Sequence, residues 1–179
     1  IDFLRTALTH RSYLNEHHNI KEHNERLEFL GDAVLELVVT EHLYNNFNNP
    51  EGDLTNWRSA LVKTETISDV AKSLGVEEYI LMSRGEAKSF GRSRQLILAN
   101  AFEAIVGAIF LDQGLEKAKK FIQDNLITRL DQILKEKSYV DPKSLFQELV
   151  QDKEGVTPSY EVLAEEGPDH DKTFTAEVK

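Results

Sequence analysis

Three acids, Glu25, Glu28 and Asp32, recur at spacings of three and four residues inside a largely apolar stretch. On a helix those spacings place all three on one narrow stripe, where like charges repel. Their neighbours Phe29, Leu30, Ala33 and Leu35 are apolar. An unpaired carboxylate buried among such groups is costly or gives up its charge. A second stretch, Leu96 to Leu111, repeats the pattern, since its only polar side chains are Asn100 and Glu103, which share a face. If the two stretches are helices that pack with these stripes facing, Glu28, Asp32, Asn100 and Glu103 form an oxygen-only cluster. Hard divalent cations require that ligand type, with magnesium the simplest occupant and manganese a substitute. Such a site suits phosphodiester hydrolysis, one metal activating water and another steadying the leaving oxygen. Glu25 and Glu51 would orient metal-bound waters without touching the metal. The same spacing also allows acids paired with buried arginines or facing a solvent channel. A di-iron bundle would need paired Glu-x-x-His motifs, and these helices carry none.

The elements that must position these groups are mostly helical. Residues 25 to 45 carry Leu27, Phe29, Leu30, Ala33, Val34, Leu35, Leu37, Val38 and Val39 around most of a helical circumference, which predicts a buried helix. Asn24 is its expected N-cap, and the asparagines before Pro50 its end. Helical stretches follow from Gly52 through Val62 and from Thr66 to Leu74, with Gly75 as the stop. The second acid-bearing helix is expected over Leu96 to Leu111. A long amphipathic helix should follow over Leu115 to Lys137, with Leu115, Ala118, Ile122, Leu126, Leu130 and Ile133 on its apolar face. Pro142 then suits the first turn of a new helix. Beyond it, Ser159 to Leu163 and Thr173 to Val178 alternate as strands, joined by the turn-rich Gly167-Pro168-Asp169-His170-Asp171. The expected fold is an all-α domain over 1–137, a linker over 138–142 and a small α+β domain, helix-strand-strand, over 143–179. The chain opens inside a helix, so residues ahead of Ile1 are expected in the full protein.

A net charge of −10 over 179 residues argues against a general nucleic-acid binder, because phosphate binding usually leaves a basic footprint. The distribution relieves the objection. Residues 141–179 hold 4 lysines against 10 acids, a net of −6. Ahead of the second acid-bearing helix, Arg84, Lys88, Arg92 and Arg94 stand against the single Glu86. That local patch is read as a phosphate contact. With no cysteine, disulfides and thiolate zinc sites are excluded, and a cytoplasmic location fits. No apolar run approaches the roughly 20 residues needed to span a bilayer, so no membrane partner is expected. His17, His18 and His23 lie in a polar segment and are read as solvated. His10 is read as a helix-packing residue, and Trp57 and the remaining aromatics as core.

The string Asn24-Glu25-Arg26-Leu27-Glu28-Phe29-Leu30-Gly31-Asp32-Ala33-Val34 resembles the signature of the ribonuclease III family. Ala7-Leu8-Thr9-His10-Arg11-Ser12 before it, Glu51-Gly52-Asp53 after it, and Ile97-Leu98-Ala99-Asn100-Ala101-Phe102-Glu103-Ala104 extend the likeness. The resemblance implies a magnesium-dependent endonuclease for double-stranded RNA that processes ribosomal precursors and other structured RNAs. Glu28, Asp32 and Glu103 then correspond to metal ligands and catalytic acids, and Glu25 and Glu51 to auxiliary acids. It also implies a homodimer with Phe29 inserted into the partner subunit. Asn100 departs from the family pattern, where aspartate is usual. An amide oxygen still ligates magnesium, but a catalytically weakened or inactive duplex-binding protein is the alternative. The tail resembles the first half of a double-stranded-RNA-binding domain, in which Gln147, Glu148 and His170 would touch RNA. Its third strand and lysine-rich last helix are absent. Gly107 is expected to permit a close helix crossing.

Overall fold

Apolar periodicity over residues 2–136 produces seven α-helices among the described residues: α1 (Asp2–Ala7), α2 (Glu25–Asn46), α3 (Glu51–Val62), α4 (Thr64–Ser73), α5 (Arg92–Gln113), α6 (Leu115–Asn125) and α7 (Leu130–Glu136). The structure, a computed structural model, describes residues 2–137, 139, 142–167 and 172–179, the side chains of residues 142, 144 and 148 excepted. Two compact units divide the chain, Ile1–Tyr139 and Val140–Lys179.

In the first unit α5 is the central post. Leu98, Ala101, Phe102 and Val106 are sealed from solvent, as are Leu35, Val38 and Val39 of α2, Leu61 of α3, Ile67 and Val70 of α4, and Ile122 of α6. Phe102 packs on Phe121 with ring centroids 5.5 Å apart, and Trp57 stands edge-on to Phe47 and Tyr139. By length and composition alone α5 is long and apolar enough to cross a membrane, as the core helix of a globular domain can be. Its apolar side chains from Ile97 to Ala108 are spent instead on this interior.

Three local expectations are corrected. Residues 115–137 are not one helix, because a 3-10 turn, Ile127–Arg129, separates α6 from α7. At that break Asn125 Nδ2 donates to the Phe121 carbonyl and Thr128 Oγ1 to that of Asn125, side-chain bonds that compete with the helical ladder. Helix α2 is not buried all round. Leu27, Val34, Leu35, Val38, Val39 and Leu43 face the core, but Phe29, Ala33, Leu37 and Tyr44 form an exposed stripe. Apolar residues outnumber what one face can bury, and no other described residue of the first unit covers the other. Asn24 occupies the N-cap position without a capping side-chain bond. Its main chain does the anchoring instead, the N–H donating to the Thr9 carbonyl at 2.9 Å and the carbonyl accepting from Glu28 N at 2.8 Å.

Thr9 also makes a parallel bridge with Leu81. His10 N donates to the Leu81 carbonyl and Leu81 N to that of Leu8, so the end of α1 is tied to the segment ahead of the basic loop.

The second unit holds α8 (Pro142–Glu154) and an antiparallel pair, β1 (Tyr160–Glu166) and β2 (Thr173–Val178). Tyr160 pairs with Val178 and Glu166 with Thr173, with an irregularity between Val162 and Ala164. Lys143 Nζ sits 4.6 Å above the Tyr160 ring, joining α8 to β1.

Candidate active site

Two glycines set how close α2 and α5 come. A Cβ on Gly31 would lie 1.7 Å from the Glu103 carbonyl oxygen, and one on Gly107 2.3 Å from that of Leu27. Backbone therefore meets backbone at this crossing, which only residues without a side chain permit. Gly107 was expected to serve this role. Gly31 was overlooked, although its place inside an apolar helix beside Asp32 was a usable signal.

The crossing brings the two polar stripes together. Glu28 accepts a hydrogen bond from the Asn100 side chain, and Glu103 lies within electrostatic reach of Asp32, Glu28 and Glu36. Burial, then Glu25 and Asp32, pushes the Glu28 carboxyl up, while the Asn100 bond works the other way. Glu103 is pushed up to about 8, first by burial and then by Asp32, Glu28 and Glu36. No cationic side chain among the described residues forms an ion pair with Glu28, Asp32 or Glu103. The expectation of wholly buried acids is corrected in degree. Glu28 and Glu103 are half-buried, whereas Glu25 and Asp32 are exposed. Among the described residues no three acids or histidines converge tightly enough to ligate one ion as they stand.

Glu36 is a neighbour that sequence reading did not name, though it continues the stripe four residues beyond Asp32. Arg58 holds it, Nε to Oε2 at 3.3 Å, and also donates to Thr40. Glu25 faces Arg11 at 3.5 Å and His23 at 3.8 Å. Glu51 opens α3, exposed, and is not among the groups that most perturb Glu28 or Glu103.

The basic loop precedes α5. Lys88 and Arg92 are exposed and make no ion pair with the described residues, while Arg84 reaches Glu16 at 4.0 Å. Arg94 is committed differently. Its Nε donates to Glu77 at 2.8 Å and its Nη1 lies 2.9 Å from the Met82 sulfur.

His10 is not a helix-packing residue. Its Nδ1 accepts from Ser12 N and Ser12 Oγ, capping a 3-10 turn, and burial lowers its pKa. His17 stacks on Tyr13 with centroids 3.9 Å apart. Phe29 is 82% exposed. In the second unit Gln147 is half-buried on α8. The expected contacts at His170 and the Glu148 side chain lie outside the described residues.

Comparison with known proteins bears on both units. A family model described as ribonuclease-III-like matches residues 1–130, and one described as a double-stranded RNA binding motif matches residues 142–179. Ribonuclease 3 of Bdellovibrio bacteriovorus is 46% identical over 178 residues, spanning 98% of this chain and 76% of that protein. Ribonuclease 3 of Borreliella burgdorferi is 44% identical over 178 residues, spanning 99% and 73%. Among solved structures, the nuclease domain of ribonuclease III from Campylobacter jejuni, described for flexibility in a region involved in dimer formation, superposes with a TM-score of 0.61. It is 44% identical, and the match covers 72% of this chain and 84% of that one.

Proposed function

Since the chain belongs to the ribonuclease III family and is an endoribonuclease of double-stranded RNA, we propose that it cuts duplex RNA with magnesium held by Glu28, Asp32, Asn100 and Glu103. The observation that carries this reading is an acid cluster at a backbone-tight helix crossing, with no ion-paired cationic side chain at Glu28, Asp32 or Glu103 among the described residues. The donor set suits a hard cation, being three carboxylates and one amide. Magnesium, or manganese in its place, would supply charge neutralisation for the phosphodiester and an activated water. Before a cation arrives, Glu103 holds a proton at neutral pH, since its carboxyl is pushed up to about 8. The Asn100 side-chain bond to Glu28 partly opposes the rise that burial, Glu25 and Asp32 impose on that acid, while the Asn100 amide oxygen remains a candidate ligand. The match over nearly the whole chain to ribonuclease 3 relatives favours cutting over binding alone. Glu25, steadied by Arg11, and Glu51 would orient waters at the rim.

Arg84, Lys88 and Arg92 would contact backbone phosphates, whereas Arg94 acts by holding the start of α5 to Glu77. Gln147, Glu148 and His170 would meet the duplex from the second unit, whose matching motif reads A-form shape rather than sequence. The exposed stripe of Phe29, Leu37 and Tyr44 supports a homodimer, with Phe29 seated in the partner. Ribosomal RNA precursors and other structured transcripts are the proposed substrates, in the cytoplasm.

The deciding experiment is cleavage of a labelled continuous RNA duplex in magnesium by the chain and by Glu103→Gln, alongside binding in EDTA. Loss of cleavage with binding retained is expected. Substantial turnover by the variant would remove Glu103 from the chemistry.

A further inference from the structure

Among the described residues Phe90 is the most exposed large apolar side chain, at 88%. It stands alone, for every other residue from Ser83 to Arg94 is polar, charged or small. A docking surface for a protein would be an apolar patch with a polar rim, which a single ring is not. Its close neighbours in sequence are instead Lys88 and Arg92, exposed and without an ion pair among the described residues. An aromatic face set among cations is the arrangement that holds a nucleobase while its backbone is neutralised.

Hydrogen bonds fix the backbone of the loop ahead of that ring. Ser12 Oγ accepts from Ser83 N at 3.0 Å, and Glu16 accepts from Arg84 N at 3.0 Å. Ser83 Oγ accepts from Glu86 N at 3.2 Å, and Ala87 N and Ser89 N bond back to the carbonyls of Ser83 and Glu86. Gly91 then turns the chain into α5 with φ of +63°, a conformation that L side chains resist. From the first turn of α5, Asn100 and Glu103 lie roughly 12 and 17 Å along the helix axis at 1.5 Å per residue. Phe90 is therefore presented in the loop that leads into the helix carrying Asn100 and Glu103.

A continuous A-form duplex keeps its base faces stacked inside, and only a displaced nucleotide offers one to an aromatic ring. We propose that Phe90 is a stacking platform for an unpaired base, so that this chain holds a duplex bearing a bulged nucleotide near the cut more tightly than a continuous one. This role rests on the duplex-RNA reading above and adds a substrate preference to it.

The test is binding in EDTA, so that the RNA stays intact, to a continuous duplex and to a series with one bulged 2-aminopurine walked along the strand. For the chain as it is, one bulge position should bind about tenfold tighter than the continuous duplex, with a change in 2-aminopurine fluorescence, a value within the range for one stacked base. Phe90→Ala should bring the ratio of the two affinities close to one and remove the fluorescence change, while Phe90→Trp should keep both. If the chain binds the continuous duplex but shows no preferred bulge position, or if Phe90→Ala leaves the ratio intact, the role of Phe90 is overturned and a protein partner becomes the better occupant. If the chain neither binds nor cuts the continuous duplex, the duplex-RNA reading fails instead.

Discussion

Replacing Gly31 by alanine tests whether the crossing of α2 and α5 sets the site. The new Cβ would start 1.7 Å from the Glu103 carbonyl oxygen, whereas Cβ atoms essentially never come within 3.0 Å of another heavy atom, so the helices must part by at least 1.3 Å. The obstacle is backbone, which cannot swing aside as a side chain would. Overpacking of this kind typically costs about 1–3 kcal/mol. For a domain of this size that corresponds to a melting temperature lower by roughly 3–12 °C. The same displacement separates Glu28 and Asp32 from Asn100 and Glu103, and a misplacement of about 1 Å can cost on the order of 100-fold in rate. The assay pairs thermal unfolding with cleavage of a continuous duplex in magnesium, well below the melting point. Gly52→Ala is the control, since a Cβ there meets nothing within 4 Å. It should be neutral or slightly stabilising. A Gly31→Ala chain that melts and cuts like its parent would refute the claim that backbone contact at this crossing positions the acids.

Other outcomes follow from the charges. Because Glu103 is raised from its usual 4.5 to about 8, the metal-free folded chain binds more protons than the unfolded one in that interval, and stability falls as pH rises through it. Urea unfolding at pH 5.5 and 8.5 should show this loss in the parent and a flatter response in Glu103→Gln, and magnesium at pH 8.5 should restore stability to the parent. Equal pH slopes for the two chains would contradict the assignment. Asn100→Asp removes the donor to Glu28 and adds a charge, so it should lower metal-free stability and strengthen the response to magnesium, read by unfolding with increasing cation. Lys88→Gln and Arg92→Gln should each weaken duplex binding without regard to sequence and reduce the salt slope by about 1, measured as affinity against salt concentration.

How the site could be read in advance differs from residue to residue. Glu28, Asp32, Asn100 and Glu103 announced themselves because oxygen side chains on apolar helices demand a physical explanation, and helical spacing alone assigns each pair to one face. Glu36 belonged to the same stripe but carried no signal of its own, since Arg58 reaches it from another helix. Arg94 looked like its basic neighbours in sequence. Its pairing with Glu77 depends on a turn that no local pattern reveals.

By itself, the order of residues determined where helices form, which residues on each helix share a face, and that two such faces carry acids without adequate apolar excuse. Those properties are local, arising from backbone periodicity and side-chain type within a few turns. Tertiary structure alone decided that the faces meet, since Gly31 and Gly107 act only when another backbone arrives against them. It also decided that Asp32 faces solvent, that residues 115–137 break into two helices, and that Phe29 and Phe90 stay outside the core. Burial and electrostatic reach are sums over neighbours from distant parts of the chain, and those neighbours exist only once it has folded.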